Sequence, residues 1–263
     1  MSGAHDDGWG HQVAVVTGAA GDIGREVVEQ LLARGVAVAG ADLRPSTEED
    51  PGGASGRYRF DLVDLTDPRA TEEWVASVVQ EWGVPTIGVL STGVSGNARL
   101  VDTSPEEWHR VLGACLDAAF FPARAVIRAM IRGGVRGRVV TIGSWAAHAP
   151  HPHIGAYSVA KAGLRMLTQT LALDHAADGI LVNEVAPGIV EAGLSKALLE
   201  QDPALKQRTE AAIPLGRTLL PAQVARDVLH LASPQNLVTT GAVIVSDGGL
   251  SLASVMNPGR SDG

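Results

Sequence analysis

The segment Val13-Ala14-Val15-Val16-Thr17-Gly18-Ala19-Ala20-Gly21-Asp22-Ile23-Gly24 joins an apolar strand to a helix through a glycine-containing turn. The apolar run predicts a buried strand, and the apolar residues after the turn recur at helical spacing: Val27, Val28, Leu31 and Leu32. Glycines permit a tight turn, and a helix N-terminus offers free N–H groups and partial positive charge to a pyrophosphate. In this strand–turn–helix context, the segment predicts a dinucleotide-binding turn that includes Gly18, Asp22, Ile23 and Gly24. The alternative is a structural turn that binds no ligand.

The alternation of short apolar strands and amphipathic helices continues to about Leu231. Further strands are predicted at 36–41, 58–62, 86–91, 139–143, 180–186 and 242–246. This alternation predicts an α/β fold with a doubly wound, parallel, seven-stranded sheet and helices on both faces. We expect a single domain over 11–251, a flexible N-terminal segment at 1–10 and a C-terminal tail at 252–263.

Composition and charge exclude several classes of function. The chain has 263 residues, 45% of them hydrophobic, which is enough for one large domain with a substantial core. The formal net charge is -8 and the basic residues are scattered, so we expect neither a nucleic-acid partner nor binding to a membrane. Cys115 is the single cysteine, which excludes an internal disulfide and a cysteine zinc cluster, and we predict no metal site. Met1 to Gly10 lacks the apolar core of a signal peptide, so a cytoplasmic location is the expectation.

Ser144, Tyr157 and Lys161 form a candidate acid–base group. Tyr157 and Lys161 are four residues apart and share one face of a helix. A tyrosine titrates at about pH 10, and a nearby cation favours its phenolate. Ser144 ends the fifth predicted strand and would hydrogen-bond a substrate oxygen in the same pocket. The three residues together suit proton transfer to or from an alcohol or carbonyl oxygen, whereas the alternative is a surface helix with a chance tyrosine and lysine.

Asp42 ends the second predicted strand, 18 residues after Gly24. A carboxylate at this place binds the hydroxyls of the adenosine ribose and repels a 2′-phosphate. The pattern therefore favours NAD(H) over NADP(H). Arg44 leaves NADP(H) open, because an arginine two residues later could reach a phosphate.

The stretch 191–217 is long for a connection within a compact domain and contains a predicted helical segment near 194–200. It leaves the carboxyl end of a strand, where ligands of open α/β sheets bind. We therefore predict a substrate lid. A helical ornament packed on a neighbouring subunit is the alternative.

Two further features have two interpretations each. His148, His151 and His153 lie between Ser144 and Tyr157, where they either line the substrate pocket or belong to a solvated loop. Cys115 is either a small buried packing residue or a nucleophile, and free cysteines usually pack.

These motifs together resemble the short-chain dehydrogenase/reductase family over about 13–249. The resemblance rests on the order and spacing of Thr17-Gly18 to Gly24, Asp42, Asp64-Leu65-Thr66-Asp67, Ser144, Tyr157 with Lys161, Pro187-Gly188 and Asp247-Gly248-Gly249. It implies a Rossmann-like sheet in which Tyr157 is the acid–base catalyst, Lys161 binds the nicotinamide ribose and Ser144 holds the substrate oxygen. It also implies a homodimer or homotetramer that acts on a small alcohol or ketone.

The resemblance implies a set of cofactor-binding residues. Asp64 and Leu65 would lie at the adenine, and the backbone of 187–190 would bind the carboxamide side of the nicotinamide. The complete candidate set is Gly18, Asp22, Ile23, Gly24, Asp42, Leu43, Asp64, Leu65, Gly93, Tyr157, Lys161, Pro187, Gly188 and Val190.

Four positions depart from the family pattern. Asp22 replaces a glycine of the turn, so that either the backbone sits further from the pyrophosphate or the carboxylate turns outward. Leu90 and Ser91 replace two asparagines after the fourth strand, and Ala192 replaces a threonine near the carboxamide. Cys115 replaces an asparagine of the catalytic proton relay, and a thiol is a weaker donor and acceptor.

Two functions follow from these observations. The first is an NAD(H)-dependent oxidoreductase that interconverts a secondary alcohol and a ketone by hydride transfer, with Tyr157 as the acid–base catalyst. The alternative is a catalytically impaired NAD-binding protein with a structural or regulatory role, which the departures favour and the retained Ser144, Tyr157 and Lys161 oppose.

Overall fold

The computed structural model describes residues 8–46 and 56–256. Within these residues, seven parallel strands form one sheet in the order β3-β2-β1-β4-β5-β6-β7. The strands are β1 (Val13–Thr17), β2 (Ala37–Asp42), β3 (Tyr58–Leu62), β4 (Ile87–Leu90), β5 (Gly137–Ile142), β6 (Ile180–Pro187) and β7 (Val243–Ser246). The predicted fold class, a Rossmann-like sheet in a single domain, is confirmed.

The helices connect these strands and cover the sheet. Their bounds are α1 (Asp22–Leu32), α2 (Pro68–Trp82), α3 (Pro105–Leu112), α4 (Ala118–Gly133), α5 (Gly155–His175), α6 (Gly193–Gln201), α7 (Pro203–Ala212), α8 (Pro221–Ala232) and α9 (Leu250–Met256). A π-helical segment, Gly113–Asp117, joins α3 to α4. Short 3-10 turns lie at Leu100–Asp102 and Trp145–Ala147.

Local sequence signals set where the helices begin. The Asp67 carboxylate accepts the N–H of Arg69 at 2.8 Å at the start of α2, where proline is the first helical residue. Ser104 caps α3 in the same way, with Glu107 N–H as the donor at 3.2 Å. Each cap satisfies an N–H group that the helix itself leaves unpaired.

The two faces of the sheet bury alternate residues of the same strands. In β1, Ala14 and Val16 pack with α1 and α8, whereas Val13 and Val15 pack with α2, α4 and α5. A strand that is covered on both faces is apolar at successive positions. This is why the strands could be read as continuous apolar runs.

The strand order reverses beside β1, which has β2 on one side and β4 on the other. Thr17 at its end is paired with Ala41 of β2 and Leu90 of β4, so the carboxyl ends of the three strands are aligned. Ligands of open α/β sheets bind beyond the carboxyl ends at such a point. The site residues predicted at strand ends therefore meet along one edge.

Three local features differ from the sequence predictions. The predicted lid contains two helices, α6 and α7, because Asp202 caps a second one by accepting the N–H of Leu205 at 2.9 Å. Trp9, within the segment predicted to be flexible, is only 6% exposed and packs in the α1–α8 layer. α9 occupies the first part of the predicted tail, and residues 1–7 and 257–263 lie outside the described residues.

Across the described ranges, no helix has both the length and the apolar character that crossing a membrane requires.

Candidate active site

The turn after β1 is shaped by two glycines that no other residue could replace without a shift. Gly18 has φ +66, and a Cβ on it would overlap the Ser91 carbonyl at the end of β4. A Cβ on Gly24 would overlap the carbonyl of Gly18, so α1 starts directly against the turn. The N-cap of α1 is Gly21, and no side chain of the described residues caps this helix. Its free N–H groups therefore fit a pyrophosphate.

Asp22, the first residue of α1, turns away from the helix start. Its Oδ2 accepts the N–H of Gly193, the first residue of α6, at 2.6 Å. Of the two arrangements expected for this aspartate, the structure has the outward-turned carboxylate. The hydrogen bond joins the cofactor turn to the predicted lid.

Asp42 at the end of β2 is buried and held by backbone groups. Its Oδ2 accepts the N–H of Ala20 at 3.3 Å, and its Oδ1 accepts the N–H of Arg44 at 3.1 Å. The Arg44 guanidinium is 3.7 Å from Oδ1 and largely exposed. A carboxylate has about four acceptor positions, so room remains for the hydroxyls of a ribose.

Four further residues of the candidate cofactor set, of which Asp64 and Leu65 are those predicted at the adenine, differ in exposure and contacts. Leu43 is 70% exposed, whereas Leu65 is buried. The Asp64 carboxylate accepts the N–H and the hydroxyl of Thr66 at 2.9 and 2.6 Å, which fixes the turn before α2. Ile23 packs against the core beneath the turn.

The structure places the three candidate acid–base residues after β5 and in α5. Ser144 follows β5, is buried, and accepts the N–H of Ala146 at 3.2 Å. Tyr157 lies in the first turn of α5, and the Lys161 Nζ is 5.7 Å from the centre of its ring. The spacing of four therefore places the cation beside the phenol, as one helical face requires.

Lys161 is 3% exposed and is held by two carbonyl groups. Its Nζ donates to the carbonyl oxygen of Ile142 at 2.7 Å and to that of Thr92 at 3.2 Å. Ile142 ends β5, and Thr92 follows β4. The two central strands thus fix the ammonium group in the cleft between their ends.

Cys115 lies in the π-helical segment and is completely buried. Its thiol accepts the N–H of Val94 at 3.4 Å and donates to the carbonyl of Val94 at 3.3 Å. A Cβ on Gly93 would lie 3.5 Å from the Cys115 sulfur and 3.3 Å from the Lys161 Nζ. Gly93 therefore separates the thiol from the ammonium group. The π-helical segment that carries Cys115 is of a kind often found at functional sites.

The loop after β6 carries the residues predicted at the carboxamide. The N–H of Gly188 donates to the Ser246 carbonyl at 2.8 Å, and a Cβ on Gly188 would press on the backbone of Asp247. Val190 pairs with Leu219 in an isolated bridge. Pro187 is the last residue of β6. This backbone is thus fixed beside the end of β7.

The predicted lid is held at its base. The Glu191 carboxylate accepts the Thr218 hydroxyl at 2.6 Å and pairs with Lys206 of α7 at 2.9 Å. The hydrogen bond from Thr218, followed by that from Lys206, lowers the pKa of Glu191. Because Glu191 and Thr218 flank the two helices, this contact closes the segment into a loop.

His148, one of the three histidines in the loop before α5, contacts that helix. Arg165 of α5 contacts its Nδ1 at 2.9 Å, and burial together with the Arg165 charge lowers the pKa of His148. His148 lines a cavity of about 610 Å³ that extends along Asp247 and α9. His151 stacks edge-on against Trp145, at 5.6 Å between ring centres, and His153 has φ +68.

Sequence reasoning missed Glu184, which lies in β6 and is 0% exposed. Neither of its carboxylate oxygens has a hydrogen-bond partner among the described residues. Burial raises the pKa of Glu184 to about 7, and the positive charges of Lys161 and Arg165 oppose that rise. The signal was available as a lone carboxylate inside the apolar run from Ile180 to Ala186.

The chain is similar to known proteins over nearly its whole length. A family model described as enoyl-(acyl carrier protein) reductase matches residues 18–251. The 3-oxoacyl-[acyl-carrier-protein] reductase FabG of Escherichia coli is 33% identical over 242 residues, which cover 91% of this chain and 97% of that protein. The 2-(R)-hydroxypropyl-CoM dehydrogenase of Xanthobacter autotrophicus is 32% identical and covers 90% of this chain and 97% of its own length.

Solved structures show the same architecture. An Agrobacterium tumefaciens structure with bound NADP, assigned as a candidate 2-deoxy-d-gluconate 3-dehydrogenase, has a TM-score of 0.83 and 31% identity and covers 91% of this chain and 96% of its own. The ligand-free aldohexose dehydrogenase of Thermoplasma acidophilum has a TM-score of 0.86 and 26% identity, with 98% and 99% covered. With its fold, the order of its motifs and these relatives, the chain belongs to the short-chain dehydrogenase/reductase family of oxidoreductases.

Proposed function

We propose that the chain is an NAD(H)-dependent oxidoreductase that interconverts a secondary alcohol and a ketone, with Tyr157 as the acid–base catalyst. One observation carries the proposal: the buried Lys161 ammonium is fixed by the carbonyls of Ile142 and Thr92 beside the Tyr157 ring. A fixed cation favours a phenolate and lets a tyrosine exchange its proton near neutral pH.

Each of the three residues has a distinct part in the proposed reaction. Tyr157 gives its phenolic proton to the substrate oxygen during ketone reduction and takes it back during alcohol oxidation. Ser144 donates a hydrogen bond to the same oxygen and orients the substrate. Lys161 stabilises the phenolate, and its two carbonyl partners hold its ammonium group in place.

The residues of the cofactor turn fit a nicotinamide dinucleotide. The uncapped start of α1 and the close approach of Gly18 and Gly24 leave backbone N–H groups for a pyrophosphate. Asp42 would hold the adenosine ribose, and the backbone after β6 would hold the carboxamide. The cofactor, when bound, supplies or accepts the hydride.

The preference for NAD(H) is supported by Asp42, whose carboxylate would face a 2′-phosphate. Two observations favour NADP(H) instead. Arg44 lies 3.7 Å from that carboxylate with its side chain exposed, and the similar Agrobacterium structure contains NADP. A direct comparison of the two cofactors therefore has to accompany every assay.

The substrate class follows from an activity panel. The names of similar proteins point to 3-oxoacyl-[acyl-carrier-protein], to 2-(R)-hydroxypropyl-CoM and to aldohexoses as their substrates. Purified protein is assayed with secondary alcohols and ketones of these types, together with hydroxy acids, cyclic polyols and steroids, in the presence of NAD(H) or NADP(H). Reduced cofactor that appears with an equal amount of ketone supports the proposal.

Replacement of Tyr157 by Phe tests the mechanism. The change keeps the ring and removes the proton, so turnover should fall by about 10²–10⁴-fold while NADH binding and melting temperature change little. Tyr58→Phe is the matched control, because Tyr58 is the second of two tyrosines and lies in β3, away from the acid–base group. Near-normal turnover of Tyr157→Phe contradicts the proposal.

A catalytically impaired NAD-binding protein is the second candidate. The hydrogen bond between Asp22 and Gly193 favours it, because it ties the turn after β1 to α6. NADH binding by a folded protein that turns over nothing across the panel supports this alternative.

We also propose a homo-oligomer. α5 exposes Val159, Met166 and Leu173 at intervals of seven residues, which is an apolar stripe on one helical face. Light scattering coupled to gel filtration gives the number of subunits, and a monomer contradicts this part of the proposal. The cytoplasmic location stays a prediction from the sequence.

A further inference from the structure

Glu184 lies at a place where a charge acts directly on the candidate catalytic residues. It is paired with Thr141 in the β5–β6 register and, like Val182 two residues earlier, belongs to the face that α5 covers. A Cβ on Gly143 would overlap the Glu184 carboxylate. The carboxylate therefore packs against the backbone that leads from β5 into Ser144.

The same backbone holds the catalytic cation. Ile142, the residue before Gly143, accepts the strong hydrogen bond from Lys161 at 2.7 Å. Glu184 and Lys161 thus contact adjacent residues of one short stretch of chain. The charge of Lys161 is the largest of those that favour ionised Glu184. The two groups form a buried pair without a direct hydrogen bond in the described residues.

Within the described part of the chain, the charged groups that act on the Glu184 carboxyl, and the groups next to them, lie on three elements. α5 contributes Lys161 and Arg165, and the loop after β5 contributes His148, which contacts Arg165. Asp247 follows β7 and acts on His148. Thr141 of β5 and Gly143, which follows that strand, do not titrate. Among the described residues, the carboxyl has two cations acting on it and no hydrogen-bond partner, and burial raises its pKa to about 7.

We propose that Glu184 is a positioning residue of the acid–base site, which acts on Tyr157 through Lys161 and does not touch the substrate. An ionised Glu184 balances part of the Lys161 charge and weakens its support of the Tyr157 phenolate. A neutral Glu184 leaves that support undiminished. The proton exchange of Tyr157 is therefore linked to the protonation of Glu184, which is buried in β6 next to β5. The inference rests on the proposed roles of Tyr157 and Lys161.

The test is a titration of Tyr157 itself. Because the chain has only two tyrosines, the ultraviolet difference between each protein and its Tyr157→Phe counterpart reports the Tyr157 phenolate alone. The proteins compared are wild type, Glu184→Gln, Glu184→Val and the control Glu29→Gln, which changes an exposed carboxylate of α1. Rates of alcohol oxidation from pH 5 to pH 10 are measured in parallel with the substrate found in the panel.

Removal of the buried negative charge should lower the pH midpoint of Tyr157 by roughly half a unit or more in both Glu184 variants. The rise of alcohol oxidation with pH should move to lower pH by the same amount, and Glu29→Gln should match wild type. Equal midpoints in wild type and Glu184→Gln overturn the inference. If Glu184→Gln does not fold, Glu184→Val decides, because valine suits the apolar strand.

The titration also separates this inference from the proposed function. A wild-type protein that turns over no substrate contradicts the function, while a shifted Tyr157 midpoint still supports the linkage to Glu184. Normal turnover with unshifted midpoints supports the function and overturns the linkage.

Discussion

Asp42 and Glu184 are both carboxylates on strands of the same sheet, on opposite sides of the candidate cofactor cleft. Both are buried, with 8% and 0% of the residue exposed. Asp42 accepts two backbone N–H groups and lies beside Arg44. Glu184 accepts no hydrogen bond from the described residues. Both carboxylates thus belong to strands of the parallel sheet, and they differ in their place along the strand and in their partners.

The difference teaches that burial alone does not decide the charge of a carboxylate. Hydrogen bonds to the ionised form favour it, whereas burial without such bonds favours the neutral form. Asp42 lies at the end of its strand, where a turn supplies free N–H groups. Glu184 lies inside its strand, where the N–H groups of neighbours are already used by the sheet. The same side-chain chemistry therefore suits the proposed ribose contact at Asp42 and a response to pH at Glu184.

The largest expected effect is on the pH dependence of stability. The folded protein raises the pKa of Glu184 from 4.5 to about 7. The folded state therefore holds the proton more tightly than the unfolded state, and this contribution is fully present below pH 4.5 and is lost as the pH rises through about 7. In Glu184→Gln, the free energy of unfolding relative to wild type should rise by roughly 2–3 kcal/mol between pH 5 and pH 8.

Urea unfolding at both pH values and one protein concentration measures this difference. Asp42→Asn is the comparison, since Asp42 has hydrogen-bond donors in the folded state. A constant offset between wild type and Glu184→Gln at all pH values would show that the two carboxylates behave alike.

The second effect concerns cofactor choice and is specific to Asp42. Replacement by Ala removes the carboxylate that would repel a 2′-phosphate and leaves Arg44 free to bind one. We expect wild type to prefer NADH over NADPH by at least about tenfold, or roughly 1.4 kcal/mol, and Asp42→Ala to narrow that ratio. Dissociation constants from the fluorescence of the reduced cofactors measure the ratio. Equal or tighter NADPH binding by wild type would assign Asp42 a structural part only.

The sequence predicted the fold and most of the candidate site because those features depend on local patterns. Alternating apolar runs and helical repeats fixed the order of strands and helices, and parallel pairing then placed Ser144 and Asp42 at one edge. The spacing of Tyr157 and Lys161 gave their common helical face without any knowledge of the rest of the chain.

What the sequence could not predict depends on contacts between distant segments. The hydrogen bond from Gly193 to Asp22 joins residues 171 positions apart. Whether Glu184 finds a hydrogen-bond donor depends on the neighbours that the fold brings to it, and the periodicity of the sequence does not show these neighbours. The sequence did not predict α7, the second helix of the predicted lid, because α7 has no buried residue and therefore shows no apolar stripe.

A third, smaller effect is expected at Asp22. Its carboxylate accepts one hydrogen bond, whereas Asp42 accepts two and Glu184 accepts none among the described residues. Asp22→Asn keeps an acceptor for the N–H of Gly193 and removes a negative charge from the pyrophosphate site. NADH should bind up to about fivefold more tightly, which corresponds to a helix-end charge effect of roughly 0.3–1 kcal/mol.

Isothermal titration of Asp22→Asn and Asp22→Gly separates the charge from the hydrogen bond. Glycine loses both, so a gain in affinity confined to Asp22→Gly would show that the bond to α6, and not the charge, opposes the cofactor.

The smallest effect on cofactor binding and turnover is expected at Cys115, the other unusual group near Lys161. If Glu184 controls the proton exchange of Tyr157, the thiol has only to fill its pocket and to hydrogen-bond with Val94. A serine hydroxyl can donate and accept in the same place. Cys115→Ser should therefore keep NADH affinity unchanged and turnover within about twofold, since a hydroxyl replaces the packing role but not an attacking thiolate.

Cys115→Ala, which leaves the Val94 groups without this partner, should lose about 1–3 kcal/mol of stability and retain activity. Steady-state kinetics and thermal unfolding of both variants measure these changes. Complete loss of turnover in a folded Cys115→Ser that still binds NADH would assign the chemistry to the thiol, and control of Tyr157 could then no longer be ascribed to Glu184 alone.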